Sequence, residues 1–282
     1  MKHKIGFIGA GTMGSGMITN LVKKGFNVKF YNRTVKKIEG AYYSNLEDLE
    51  ADVFFICVSN DQAVKELFSK IKFKPGNIFV DTGTTSLELT QKIKVECGKK
   101  KVGFLDAPIT GSKLGSESGN LLFMVGGKKE VFDKLHEEFD AMGKKAVYCG
   151  ETPNGQKIKH VLNLTQSNIL QSYLEGIVFS LKQGLELDVI LDVMQNSAAN
   201  NGVGSFKLPY IRKRDFNPHF LLNLMHKDLK LAEEEIKELK LDLPISKETI
   251  RIFDEAMKDK LDNEDFSAIV KLLEEKNKVF IK

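Results

Sequence analysis

The stretch KIGFIGAGTMG at residues 4–14 decides how the first half of the chain is read. Ile5, Phe7 and Ile8 make a short apolar strand, and Gly9, Gly11 and Gly14 follow it at the G-x-G-x-x-G spacing. A helical pattern takes over from Thr12. Each glycine has its own steric task. Gly9 permits the tight turn, Gly11 lets a pyrophosphate approach the backbone, and Gly14 lets the helix pack close to the strand. The exposed N–H groups at the helix start receive the anion, with Ala10, Thr12 and Met13 completing the loop. A strand before and a helix after make this spacing a dinucleotide-binding signature rather than an ordinary glycine turn.

Outward from that loop, short β-branched and aromatic runs recur at 27–31, 53–58, 77–81, 102–107, 121–127 and 146–150. Most are nearly continuous apolar runs, as expected of strands buried on both faces of a parallel sheet. Helical stretches at 12–24, 61–71, 86–98 and 128–142 lie between them, so the pattern predicts βαβ units and a Rossmann-type, doubly wound, mostly parallel sheet. Glycine usage marks where this ends: 19 of the 23 glycines fall at or before Gly155. Beyond Pro153 a helix-like stretch runs from Gly155 to Gln183, with apolar residues on more than one side. Further helical patterns follow near 188–196, 220–240, 245–258 and 264–277, two of them separated by Asp242-Leu243-Pro244. The expected organisation is a nucleotide-binding α/β domain at 1–154, a long interdomain helix at 155–184 and an all-helical domain at 185–282.

Composition excludes several classes. The 282 residues are 42% hydrophobic and 28% charged, the balance of a globular chain, and the net charge of +4 is too dispersed to leave a nucleic-acid footprint. Cys57, Cys97 and Cys149 are odd in number and lack metal-like spacing, which argues against a disulfide framework or a metal site and fits a reducing cytoplasm. The least charged long stretch, Val161 to Leu181, contains Asn163, Gln166, Asn168 and Gln171, so no membrane partner is expected.

The second strand ends at Tyr31-Asn32-Arg33-Thr34. Where an NAD-preferring site carries an acid for the ribose 2′-hydroxyl, this chain has Asn32, followed by a guanidinium that suits a 2′-phosphate. Thr34 and Lys37 add a hydroxyl and a charge, so NADP(H) is the expected cofactor.

Four separated motifs, in order, resemble the β-hydroxyacid dehydrogenase family, which includes 3-hydroxyisobutyrate dehydrogenase, and within it the glyoxylate and succinic semialdehyde reductase branch. The glycine loop is the first. The second is Asp106-Ala107-Pro108-Ile109-Thr110-Gly111-Ser112 with Gly115 and Gly119, similar to the family's substrate-binding segment. Gly155-Gln156-Lys157-Ile158-Lys159 followed by Asn163 is similar to its catalytic segment. The fourth is Lys227-Asp228-Leu229-Lys230-Leu231-Ala232, preceded by Phe220. The resemblance implies that Thr84 contacts the nicotinamide ribose, that Lys227 contacts the cofactor, and that Phe220 and Asp228 line the substrate pocket. Ser112 stands where family members commonly carry glycine.

The residues support the same chemistry. Lys159 and Asn163 are four apart on a helix and share a face. Carbonyl reduction needs a hydride on carbon and a proton on oxygen, and a lysine amine held near that oxygen stabilises its developing charge and delivers the proton. The N–H groups and hydroxyls of Thr110-Gly111-Ser112 suit a substrate carboxylate. The expected activity is therefore NADPH-dependent reduction of a small aldehyde or keto acid such as glyoxylate or succinic semialdehyde, with substrate entering the cleft between the domains. Three alternatives stay open: oxidation of a 3-hydroxy acid, an imine reductase and a noncatalytic NADP-binding module. Imine reductases share the fold and the Asn-Arg-Thr turn but generally lack a lysine at position 159. The apolar perimeter of the long helix also leads us to expect a homodimer or homotetramer.

Overall fold

The computed structural model describes residues 2–282. Two compact units divide them, one ending at Lys159 and the other beginning at His160. The first unit contains a sheet of nine strands: β1 (Lys4–Ile8), β2 (Asn27–Tyr31), β3 (Tyr42–Tyr43), β4 (Val53–Ile56), β5 (Ile78–Asp81), β6 (Gly103–Asp106), β7 (Ile109–Thr110), β8 (Leu121–Gly127) and β9 (Gly143–Tyr148). Its helices are α1 (Thr12–Lys23), α2 (Asp61–Lys70), α3 (Leu87–Lys99), α4 (Ser112–Glu117), α5 (Lys129–Asp133) and α6 (His136–Met142).

The strands run in the order β3-β2-β1-β4-β5-β6 with every pairing parallel. β8 then joins β6 antiparallel, with β7 antiparallel and β9 parallel beside β8. This is the Rossmann order, and it reverses between β1 and β4, where such sheets open a crevice at the carboxyl ends of the strands. Gly9 follows β1 at that end.

The continuous apolar runs have a direct cause. In β4, Val53 and Phe55 pack into one core cluster, with Phe7, Phe30 and Val80, while Phe54 and Ile56 join Phe79 and Phe104 in the other. Alternate side chains therefore enter opposite faces, and both faces are buried.

All seven strand runs read from the sequence are strands, and β3 and β7, two residues each, were not foreseen. The single helix expected at 128–142 is two, because the chain breaks at Lys134-Leu135 and sends Leu135 fully into the core.

α7 (Asn154–Lys182) spans the division, and the second unit adds α8 (Leu187–Gln195), α9 (Gly202–Arg212), α10 (Leu222–Glu238), α11 (Pro244–Lys258) and α12 (Val270–Asn277). Leu170, Leu174 and Ile177 of α7 anchor its core, against Ile211, Leu229 and Phe253. Pro244 occupies the first turn of α11, as the break at 242–244 predicts. α9 is the helix the sequence hid. It contains two glycines and an internal proline, Pro209, and starts because the Asn201 side chain accepts the Gly204 N–H at 2.6 Å.

The apolar residues expected to cover several sides of α7 divide in the structure. Leu170, Tyr173, Leu174, Ile177 and Val178 are buried, while Ile158, Val161 and Ile169 are exposed. Toward its N-terminus the buried stripe is polar instead: Gln156, Lys159, His160, Asn163 and Ser167. Helical spacing puts these on one face, and burying so many polar groups is costly unless they are partnered or used.

Candidate active site

The glycine loop explains itself atom by atom. Gly9 has φ +97°, and a Cβ there would lie 2.3 Å from the Cys57 carbonyl oxygen. A Cβ on Gly14 would lie 1.9 Å from the Gly9 carbonyl oxygen, so that helix and strand approach more closely than any side chain permits. Gly11 differs, because a Cβ there would meet nothing within 4 Å. Two glycines are required by packing, and the third faces open space. Gly11 also caps α1 without any side chain accepting from the first turn, and that turn carries no acidic residue. An uncapped helix N-terminus beneath an open glycine fits a pyrophosphate.

Asn32 does more than omit a negative charge. Its Oδ1 accepts the Ala10 N–H at 3.0 Å and its Nδ2 donates to the Thr34 carbonyl at 2.8 Å, so the side chain braces the loop against the turn after β2. Arg33, Thr34 and Lys37 are exposed in that turn. Lys36, which the sequence did not single out, donates to Ser15 Oγ at 2.7 Å and to the Ala10 carbonyl at 3.3 Å. Its signal was the basic Lys36-Lys37 pair, of which only one residue was assigned.

Asp81 ends β5 and Asp106 ends β6, in register with each other, and both are fully buried. Asp81 Oδ1 accepts the Gly83 N–H at 2.9 Å, and the Thr85 hydroxyl lies 3.2 Å from Oδ2. Burial pushes the Asp81 carboxyl up to about 7, helped by the neighbouring Asp106 and opposed by those two hydrogen bonds. Asp106 is pushed up to about 6, again by burial first, against the Gln156 N–H that its Oδ2 accepts at 3.0 Å. Sequence reading had Asp81 as the last residue of the 77–81 run and Asp106 as the first of the second motif, and gave neither a role in the site.

A raised carboxyl makes the folded protein bind protons that the unfolded chain has released. Stability therefore falls as pH rises from the unfolded carboxyl range, near 4, through about 7 for Asp81. Asp81→Asn keeps an acceptor for Gly83 and removes the charge. The advantage of the variant's unfolding free energy over the parent's is expected to grow by on the order of 1–3 kcal/mol between pH 5 and pH 8. Urea denaturation at the two pH values checks this, and an equal difference at both would contradict it.

Thr84, half-buried, lies between β5 and α3 in the loop that Asp81 holds. Thr110 ends β7, Gly111 has φ +139° and Ser112 opens α4 with φ +61°. Ser112 thus adopts the left-handed backbone that glycine adopts freely, at the position where the resemblance leads one to expect glycine. Burial pushes the Cys57 thiol, beside the glycine loop, up to about 11, which keeps it an un-ionised thiol at neutral pH. Among the described residues no group of three or more His, Cys, Asp or Glu could hold a metal ion.

On α7, Lys159 is 6% exposed and Asn163 2%. Asn163 Nδ2 donates to Asp228 Oδ2 at 2.6 Å, and Lys227 Nζ lies 2.8 Å from Asp228 Oδ1. Asn163 of the third motif and Lys227 of the fourth therefore meet at Asp228, which is buried. His160 is also buried, with Nδ1 bonded to Glu235, whereas Lys157 is exposed.

Phe220 packs edge-on to Phe266, 6.3 Å between ring centroids. The backbone before it is tied down by Asp265, whose Oδ2 accepts the N–H groups of His219 and Phe220 at 2.9 and 3.1 Å and the Lys207 ammonium at 2.7 Å. Burial pushes the Asp265 carboxyl up, but Lys207 and the Ser267 donors outweigh it and hold it below the usual carboxylate range. Sequence reading missed this buried pair because nothing in the spacing of Lys207 and Asp265 relates them.

A Rossmann unit with an open, uncapped glycine loop, continued into a helical unit by a helix that buries a lysine and an asparagine one turn apart, is the arrangement of a nicotinamide-dependent dehydrogenase. Residues 4–150 match the family described as the NAD binding domain of 6-phosphogluconate dehydrogenase. Residues 153–273 match the NAD-binding family of NADP-dependent 3-hydroxyisobutyrate dehydrogenase. The chain is 30% identical over 280 residues to glyoxylate/succinic semialdehyde reductase 1 of Arabidopsis thaliana, covering 95% of this chain and 97% of that one. It is 32% identical over 282 residues to the chloroplastic reductase 2 of the same plant, covering 95% and 79%. Among solved structures, Mycobacterium tuberculosis 3-hydroxyisobutyrate dehydrogenase with L-serine superimposes with a TM-score of 0.88 at 26% identity, covering 97% and 99%. The chain belongs to the β-hydroxyacid dehydrogenase family and is an NAD(P)-dependent dehydrogenase acting on CH–OH groups.

Proposed function

We propose that this protein is an NADPH-dependent reductase of small carbonyl acids, with glyoxylate and succinic semialdehyde as substrates. The observation that carries the reading is the buried Lys159 with Asn163 one turn on, Asn163 being fixed by Asp228. The two Arabidopsis relatives, matched over 95% of the chain, support the substrate class. The exposed Arg33, Thr34 and Lys37 support NADP(H), since a guanidinium, a hydroxyl and an ammonium in one turn suit a 2′-phosphate.

The loop from Gly9 to Gly14 would hold the pyrophosphate, and Thr84 and Lys227 would contact the rest of the cofactor. When bound, the nicotinamide supplies the hydride. Lys159 stabilises the negative charge that develops on the carbonyl oxygen and donates its proton there. Asn163 orients that oxygen, while Thr110, Gly111 and Ser112 receive the substrate carboxylate. Phe220 and Asp228 contribute the pocket wall and a fixed charge.

A second reading is the same chemistry reversed, with neutral Lys159 taking the hydroxyl proton of a 3-hydroxy acid. L-serine, itself a 3-hydroxy acid, in the mycobacterial relative favours keeping it. A panel of glyoxylate, succinic semialdehyde, 3-hydroxyisobutyrate, L-serine and a cyclic imine, assayed with both cofactors, tests the proposal. Expected is a kcat/KM for one of the two carbonyl acids with NADPH at least about tenfold above every other pairing, a margin of about 1.4 kcal/mol. Turnover confined to the imine, or confined to NAD-dependent oxidation, would contradict it.

A further inference from the structure

Gln156 is completely buried in the first turn of α7, and its carboxamide is used on both sides. Its Oε1 accepts the Thr85 N–H at 3.2 Å and its Nε2 donates to the Gly83 carbonyl at 2.9 Å. One amide thus brackets the backbone on either side of Thr84. Its own N–H donates to Asp106 Oδ2 at 3.0 Å. Two glycines seat that turn on the sheet: a Cβ on Gly155 would lie 2.4 Å from the Asp106 carbonyl oxygen, and one on Gly126 would lie 2.7 Å from the Gly155 nitrogen. Lys159 follows three residues later on the same helix. We infer that Gln156 is a positioning residue, whose carboxamide registers the Thr84 loop against the helix turn that carries Lys159. The inference rests on the proposed role of Lys159 and adds to it the part that sets cofactor and proton donor in step. A buried amide used this fully has no cheap substitute, because either partner group would be left unsatisfied without it.

Glutamate at this position makes a titratable test. Protonated, it reproduces the bracket, with O–H donating to the Gly83 carbonyl and C=O accepting from Thr85. Ionised, it sets an oxygen against the Gly83 carbonyl. Two carboxyls flank the bracket: Asp106 on β6, which accepts the Gln156 N–H, and Asp81 on β5, which holds Gly83 and Thr85. Burial already favours the neutral forms of both. The Glu side chain will therefore resist ionisation and then yield as pH rises.

The experiment compares Gln156→Glu with the parent from pH 6 to pH 8.5, reading kcat and the NADPH dissociation constant by cofactor fluorescence. The variant-to-parent ratio of kcat is expected to fall at least about tenfold across the range, with NADPH binding weakening in the same direction. A ratio independent of pH would overturn the inference. If the parent reduces no carbonyl acid, the functional proposal fails, and the fluorescence titration alone decides this one by the same criterion. Gln156→Met, which fills the space without hydrogen bonds, covers failure of the Glu variant to fold. It is expected to lose about tenfold or more in kcat, and parental kcat in it would overturn the claim.

Discussion

Replacing Lys159 with alanine is expected to lower kcat for carbonyl reduction by about 10³-fold, the middle of the range for a positioned general acid. The NADPH dissociation constant should stay within about threefold of the parent's, because the helix N-terminus and open glycine that receive the pyrophosphate lie elsewhere in the first unit. Binding intact with turnover lost separates a proton donor from a residue that only maintains the fold. Stopped-flow or steady-state assay beside a fluorescence titration reads both quantities. A variant turning over at near-parental rate would remove Lys159 from the chemistry, and equal losses in binding and rate would make it a structural cation.

The second large effect concerns cofactor choice. Arg33→Asp should lower the ratio of NADPH to NADH specificity constants by about 100-fold, or about 2.7 kcal/mol at 1.36 kcal/mol per decade. Charge-assisted hydrogen bonds to a phosphate account for about 1.5–3 kcal/mol, and exposure of Arg33 to solvent holds the added repulsion to the low end. The aspartate also offers the ribose 2′-hydroxyl the acceptor that NAD-preferring sites use, so NADH should gain in absolute terms. Asn32 is the contrasting position. Because its amide braces Ala10 and Thr34, Asn32→Asp would disturb the loop itself and weaken both cofactors together. Unchanged selectivity in Arg33→Asp would remove the 2′-phosphate assignment.

What the sequence made legible follows from which interactions are local. The glycine loop could be read because its three tasks lie within six residues, and the parallel sheet because strands buried on both faces must be continuously apolar, as Val53–Ile56 shows. Lys159 and Asn163 could be read because their motif resembles the family's catalytic segment and helical spacing puts the two on one face. The partners of these groups could not. Asp228 reaches Asn163 across 65 positions, Lys207 reaches Asp265 across 58, and Gln156 reaches Gly83 across 73. Asp81 closed the 77–81 run and Asp106 opened the second motif, yet their raised carboxyls come first from burial, which tertiary packing sets and no local pattern reveals. α9 stayed hidden for the opposite reason: its internal Pro209 and its glycines read locally as breakers, and tertiary packing of Leu208 and Ile211 overrides them.

The atom that protonates the substrate oxygen decides the mechanism. A crystal structure of the protein with NADP⁺ and the hydroxy acid product measures it directly. Lys159 Nζ should lie within hydrogen-bond distance of the product hydroxyl, about 2.6–3.2 Å, on the same oxygen that Asn163 approaches. An Nζ directed into solvent, with another donor on that hydroxyl, would contradict the assignment.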